Sequence, residues 1–249
     1  ELIPYVFTGR DAWVTAPTGS GKTLAYTLPL IEQLARSFSS NTRFIRALVL
    51  VPTRELAIQV GQTFMSLTAQ WGSLCKITVV FGGVSINPQM MGLRGGTDIL
   101  IATPGRLIDL MANNALKLSH VQTLVLDEAD KLFELGFQEE LQTILQQLPT
   151  RRQTLLLSAT KPSSMQPLAQ ALLQDPLVIH IQGETQQPAV IVQRAIYTDV
   201  GKRTQLLKHL IQEAHLKQVL VFAATQHSSE IVAAKLRVAG IAAEPFHGQ

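Results

Sequence analysis

The sequence has 249 residues, of which 46% are hydrophobic and 16% charged, with a formal net charge of +3. That balance excludes a disordered chain, and no apolar run is long enough to span a bilayer. A single cysteine excludes an intramolecular disulfide and a cysteine-rich metal site; it fits a reducing compartment, and a cytoplasmic location is expected. The small positive surplus permits nucleic-acid binding without arguing for it. Residues 1–5 lack the basic and apolar regions of a secretory signal.

In chain order, a short apolar run at 12–14 is followed by APTGSGKT, beginning at Ala16. A glycine-rich turn between strand and helix suits a phosphate, because the helix start presents unpaired N–H groups and a positive dipole end. Gly19 and Gly21 let the backbone approach closely, Lys22 reaches terminal phosphates, and Thr23 supplies a hydroxyl for Mg²⁺. Ala16, Thr18, Gly19, Ser20, Gly21, Lys22 and Thr23 are therefore the candidate nucleotide-binding residues, although Ala16 stands where the pattern G-x-x-x-x-G-K-[ST] begins with glycine. The plainer reading is a turn that only caps a helix. Pro29 is expected to end or bend that helix.

Further apolar runs lie at 47–51, 77–81, 99–101, 124–126, 155–157 and 178–181. They are continuous rather than alternating, as parallel strands buried on both faces require. Helical spacing separates them, as in Leu56, Val60, Phe64 and Leu67, or Phe137, Leu141, Leu145 and Leu148. The pattern is that of an α/β fold with helical crossovers on a parallel sheet.

Within TLVLDEAD, at 123–130, an apolar strand delivers Asp127 and Glu128 at its C-terminal end, where α/β sheets bind ligands. Asp127 suits Mg²⁺, and Glu128 is placed to orient and deprotonate an attacking water. With Lys22 these are the candidate catalytic residues; Thr23 and Asp127 are the candidate metal ligands. Alone, the acidic pair would also serve as a helix N-cap.

The polar stretch 182–188 contains Gly and Pro and lacks periodicity. It divides the chain into a first domain at 1–182, a linker at 183–189 and a second domain at 190–249. In the second, strands are expected at 190–197, at 219–222 and near Ala243, with helices at 206–214 and 229–239. Three strands do not complete a sheet, so this domain reads as truncated. His120, His180, His209 and His215 show no ligand spacing; Trp13 and Trp71 read as packing residues, and Cys75 as a small buried side chain.

APTGSGKT at Ala16, PTRELA at Pro52, GG at Gly82, TPGR at Thr103, DEAD at Asp127 and SAT at Ser158 follow one another in a single order. In that order the chain resembles the DEAD-box family of ATP-dependent RNA helicases. The likeness continues through Gln193, the run 219–225 and the closing His247-Gly248. It implies two RecA-like domains that close on ATP and single-stranded RNA, the second present here in part. It implies RNA contacts from Pro52, Thr53, Arg54, Gly83, Thr103, Gly105, Arg106 and, on the second domain, Thr225.

These groups suit phosphates and riboses rather than base edges, so sequence-independent binding is expected. Gly82-Gly83 would alternatively be a turn, Pro104 a helix start, and Arg54 the partner of a carboxylate within its domain. The likeness further implies that Ser158 and Thr160 bond Asp130 and couple nucleotide state to RNA binding; otherwise SAT would cap the next helix.

The family's adenine-recognising segment and its arginine finger have no counterpart in 1–249, and Gln226-His227 stands where many relatives carry a basic residue. This stretch alone is expected to bind nucleotide weakly, with little RNA-stimulated hydrolysis. The activity implied is local RNA unwinding or RNA–protein remodelling, with an ATP-gated RNA clamp or a DNA translocase as alternatives. Accessory partners are not legible.

Overall fold

Strands that are apolar on both faces are satisfied only when helices cover each side of their sheet. The computed structural model, which describes residues 2–36, 43–70, 75–162, 165–181 and 192–248, meets that requirement in the first of two compact units, Glu1–Gln186 and Gln187–Gln249. Strands β1 (Ala12–Thr15), β2 (Ala47–Leu50), β3 (Ile77–Val80), β4 (Ile99–Ala102), β5 (Thr123–Leu126), β6 (Gln153–Ser158) and β7 (Leu177–His180) form one sheet of order β3-β4-β2-β5-β6-β1-β7. Every pairing is parallel.

The period-two alternation of strand side chains divides the core between the two faces. Leu48, Leu50, Leu100, Leu124 and Leu126 pack with Leu107 and Leu110 of α5 (Pro104–Ala112), Leu132 of α6 (Ala129–Glu134), Ile144 of α7 (Gln138–Leu145) and Ala169 of α8 (Gln166–Leu172). Val49, Ile99, Ile101, Val125 and Leu157 pack with Val6 of α1 (Leu2–Val6), Leu30 of α2 (Lys22–Arg36) and Phe64 of α3 (Arg54–Thr68). The close approach of α3 to β3 requires glycine at 61, where a first side-chain carbon would lie 2.4 Å from Val79 Cγ2. A further helix, α4 (Ile86–Leu93), lies between β3 and β4 in the chain.

Pro29 does not end α2, which continues through it to Arg36. The helix forfeits one backbone hydrogen bond there, but Tyr26, Leu30, Ile31 and Leu34 bury its inner face and hold it. Trp13 and Cys75 are buried, and burial pushes the Cys75 thiol up to about 11. Trp71, the expected linker and residues 190–191 lie outside the described residues.

The second unit contains a 3₁₀ turn (Val200–Lys202), α9 (Arg203–Glu213) and α10 (Gln226–Val238). The strands expected at 190–197, 219–222 and near Ala243 are absent among its described residues. Tyr197, Leu220 and Phe222 are 99%, 80% and 90% exposed. A β-conformation is maintained by a neighbour's N–H and C=O groups, and no pairing with another segment is formed there. The apolar pattern marks which residues suit a strand; it does not supply the partner.

Asp11 ties the strand ends of the first unit together. Its Oδ1 accepts from Thr154 N at 2.7 Å and its Oδ2 from Gln174 N at 2.7 Å, with the side chain buried. Asp11→Ala strands the buried Thr154 N–H and removes the partner of the exposed Gln174 N–H, and is expected to cost about 1–3 kcal/mol. Urea unfolding of the variant against wild type measures this; an unchanged midpoint would contradict it.

Candidate functional site

The C-terminal ends of β5, β6 and β1 lie side by side in the sheet, so the loops after them share one edge. The loop after β1 is the glycine-rich stretch. Gly19 and Gly21 have φ of 79° and 85°, a left-handed geometry that a side chain would strain. Thr18, Gly19, Ser20 and Gly21 are exposed, and the first turn of α2 leaves its N–H groups without intrahelical partners. Ala16 is buried, and its N–H donates to Ser158 O at 3.1 Å. Lys22 Nζ donates to the carbonyls of Ala16 at 2.5 Å and Pro17 at 3.0 Å. An anion in the loop offers this ammonium a charge-assisted partner in place of two neutral ones.

Asp127 follows β5 and is 2% exposed. Its Oδ1 accepts from Glu128 N at 2.9 Å, and its Oδ2 accepts from the Tyr26 hydroxyl at 2.8 Å. Burial raises the Asp127 carboxyl above its usual range, against the lowering effect of these hydrogen bonds and of Lys22 nearby. Burial also raises the Tyr26 phenol well above its ordinary value, which keeps it an O–H donor. Among the described residues no basic side chain forms an ion pair with Asp127. A buried carboxylate with no ion-pair partner among the described residues is, like the Thr23 hydroxyl, a hard oxygen donor of the kind that suits Mg²⁺.

Glu128 adopts φ 48° and ψ 49°, a left-handed conformation unusual for a residue with a side chain. Such strain persists where the surroundings impose it, commonly at functional sites. Its Oε2 lies 2.7 Å from Lys131 Nζ, and this partner raises the Lys131 pKa. The carboxylate lies partly buried at the sheet edge.

Between these two strands, the segment after β6 meets Asp130. Asp130 Oδ2 accepts from Ala159 N at 3.2 Å, Thr160 N at 2.9 Å and the Thr160 hydroxyl at 2.8 Å. Ser158 makes no such bond, and its buried hydroxyl has no partner. The two hydroxyls were both expected on Asp130. Ser158 is the last residue of β6 and fully buried, while the next two residues already fill that oxygen.

The other half of the sheet, β3-β4-β2, carries the remaining loops. Pro52 is buried, and Thr53 caps α3 by accepting from Leu56 N at 3.2 Å. Arg54 is exposed and lies over the Phe81 ring at 5.1 Å, not against a carboxylate. Gly83 is exposed with φ 80°, and Gly82 N donates to the Thr103 hydroxyl at 3.3 Å. Gly105 lies in the first turn of α5, which Pro104 opens.

Arg106 is 7% exposed rather than free in solvent. Its Nη2 donates to Val84 O at 2.6 Å, while Nε and Nη1 have no hydrogen-bond partner. Arg106 therefore holds the Gly83 loop, and its Nε forms a longer ion pair with Asp109 Oδ2 at 3.6 Å. Thr225 belongs to the other unit, where it caps α10 by accepting from Ser228 N at 3.1 Å.

Tyr26, Phe81, Gln89 and Lys131 were not anticipated from the sequence. Lys131 had a signal, since it lies three residues after Glu128 at the start of a helix. Tyr26 had none, because its partner is 101 residues away.

Residues 1–168 match the family model described as DEAD/DEAH box helicase. The chain is 40% identical over 254 residues to "DEAD-box ATP-dependent RNA helicase 3B, chloroplastic" of Zea mays, covering 99% of this chain and 33% of that protein. It is 37% identical over 250 residues to "ATP-dependent RNA helicase DDX47" of Drosophila melanogaster, covering 100% and 48%. The yeast DEAD-box splicing factor Prp28 superposes with a TM-score of 0.68 at 32% identity, over 92% of this chain and 54% of that one. The chain thus spans a third to a half of the length of these curated relatives. With a matching model over residues 1–168, and with the glycine-rich loop and the carboxylates on one edge of the sheet, the chain belongs to the DEAD/DEAH box helicase family.

Proposed function

We propose that this chain carries the ATP-hydrolysing core of an RNA helicase, which couples ATP binding and hydrolysis to local RNA unwinding or RNA–protein remodelling. One observation supports the reading above others: the loop of Lys22, the carboxylates Asp127 and Glu128, and the Asp130–Thr160 contact occupy three adjacent strand ends. The names of the relatives agree with it. The described residues 192–248 are read as part of a second RecA-like domain, with Thr225 as an RNA contact.

In this mechanism the loop of residues 16–23 binds the ATP phosphates, and Lys22 leaves the Ala16 and Pro17 carbonyls to meet them. Thr23 and Asp127 would hold Mg²⁺, directly or through water. Bound there, the ion would neutralise charge on the β- and γ-phosphate oxygens. Tyr26 and the Glu128 N–H fix the orientation of the Asp127 carboxylate. Glu128 accepts a proton as a water oxygen bonds the γ-phosphorus. The bond to the β–γ bridging oxygen breaks, and ADP leaves with that electron pair. Asp130, bonded to Thr160, communicates the change to the loops that meet RNA.

Pro52, Thr53, Arg54, Gly83, Thr103, Gly105 and Arg106 form the RNA path, acting on phosphate and ribose. Arg54→Ala and Arg106→Ala are expected to weaken binding about equally for unrelated RNAs, each lowering the salt slope by about 0.7. Arg106→Ala should also lower thermal stability, since Arg106 supports the Val84 carbonyl, whereas Arg54→Ala should not. Titrations of several RNAs at a series of salt concentrations check this; strong preference for one sequence would overturn the groove.

Among the described residues no helix is long and apolar enough to cross a membrane. The lone cysteine supports a reducing, cytoplasmic setting as part of the proposal.

A further inference from the structure

We infer that Phe81 and Gln89 are positioning residues for Arg54, presenting its guanidinium to the RNA backbone. The inference rests on the RNA reading above and adds two residues that do not themselves meet a ligand.

Phe81 directly follows β3, which is an edge strand with β4 on one side only. On the β4 side, Thr103 N bonds Val80 O at 3.2 Å, and Gly82 N bonds the Thr103 hydroxyl at 3.3 Å. The backbone of Phe81 is instead met by a side chain. Gln89 Oε1 accepts from Phe81 N at 3.1 Å, and Gln89 Nε2 donates to Phe81 O at 3.0 Å. One carboxamide from α4 thereby satisfies both backbone groups, as a neighbouring strand would. Its two bonds fix the position of the residue and with it the height of the ring.

Arg54 opens α3 and is exposed. A long side chain there would otherwise sample many rotamers, and binding a phosphate would require ordering it. The Phe81 ring lies 5.1 Å from the guanidinium carbon and attracts the cation to its face. A guanidinium placed over a ring keeps its N–H edge free for a phosphate. Gln89 thus holds Phe81, and Phe81 holds Arg54. Both residues lie at the β3 edge of the sheet, with four strands between β3 and β1, so the effect belongs to RNA and not to nucleotide.

The test is RNA affinity of the full chain, in the wild-type and Arg54→Ala backgrounds, with melting temperature and nucleotide affinity measured alongside. Phe81→Leu and Gln89→Ala should each weaken RNA binding about two- to fivefold, the range of one exposed cation–π contact. Phe81→Tyr keeps the ring and should retain wild-type affinity. In the Arg54→Ala background neither substitution should cost anything further, because its effect runs through that arginine. Equal losses in both backgrounds would overturn the positioning role, as would wild-type affinity in Phe81→Leu. If Gln89→Ala lowers the melting temperature, the Phe81 pair still decides the matter. Unchanged affinity in Arg54→Ala alone would instead bring down the RNA path on which the inference stands.

Discussion

Lys22→Ala is expected to abolish tight nucleotide binding. The ammonium now bonds two loop carbonyls, and no other basic side chain in the loop of residues 16–23 could take its place. Loss of two charge-assisted contacts to phosphate corresponds to about 3–5 kcal/mol, or some 10²–10⁴ in affinity. The fold should survive, because both Lys22 contacts lie within its own loop, where Lys22 and Pro17 are only partly buried. Titration with a fluorescent ATP analogue, with a melting curve as control, measures the effect. Affinity within a few-fold of wild type would remove Lys22 from the phosphate site.

Glu128→Gln should do the opposite, sparing nucleotide affinity while slowing hydrolysis about 10²–10⁴-fold, the typical contribution of a general base. Glutamine matches the shape of the side chain but takes no proton from water. The change also releases Lys131, whose ammonium is half-exposed, so little stability should be lost. Steady-state turnover and nucleotide affinity, measured on the same preparation, separate the two effects. Undiminished turnover would assign the base elsewhere.

The first unit was legible because β1, β2, β4, β5 and β6 are buried on both faces and so appear as largely uninterrupted apolar runs. Runs such as 47–51 and 99–101 correspond to β2 and β4 within a residue or two. The same signal misled in the second unit, where 219–222 is equally apolar yet unpaired and exposed. Hydrophobicity marks a preference for burial, and a strand exists only where another strand completes its hydrogen bonds. Pro29 failed as a stop signal because its helix is anchored on both sides of it by buried residues.

The glycine-rich turn between β1 and α2 and the acidic pair after β5 could be placed from the sequence because their signals are local, with several functional groups within eight residues. Contacts across the fold could not. The Tyr26 hydroxyl on Asp127, the Gln89 carboxamide on Phe81 and the burial of Arg106 all depend on how crossovers return the chain to the sheet edge. Ser158 and Thr160 are identical in kind as hydroxyl donors. Only the end point of β6 decides which of them reaches Asp130.

The most direct measurement is ATP turnover by the full-length protein, at saturating ATP and Mg²⁺, with no nucleic acid, with single-stranded RNA, and with DNA of the same sequence. The proposed ribose contacts at the β2, β3 and β4 loops, with the proposed coupling to the carboxylates through Asp130 and Thr160, predict strong stimulation by RNA and little by DNA. Equal turnover in all three, or equal stimulation by DNA, would contradict it.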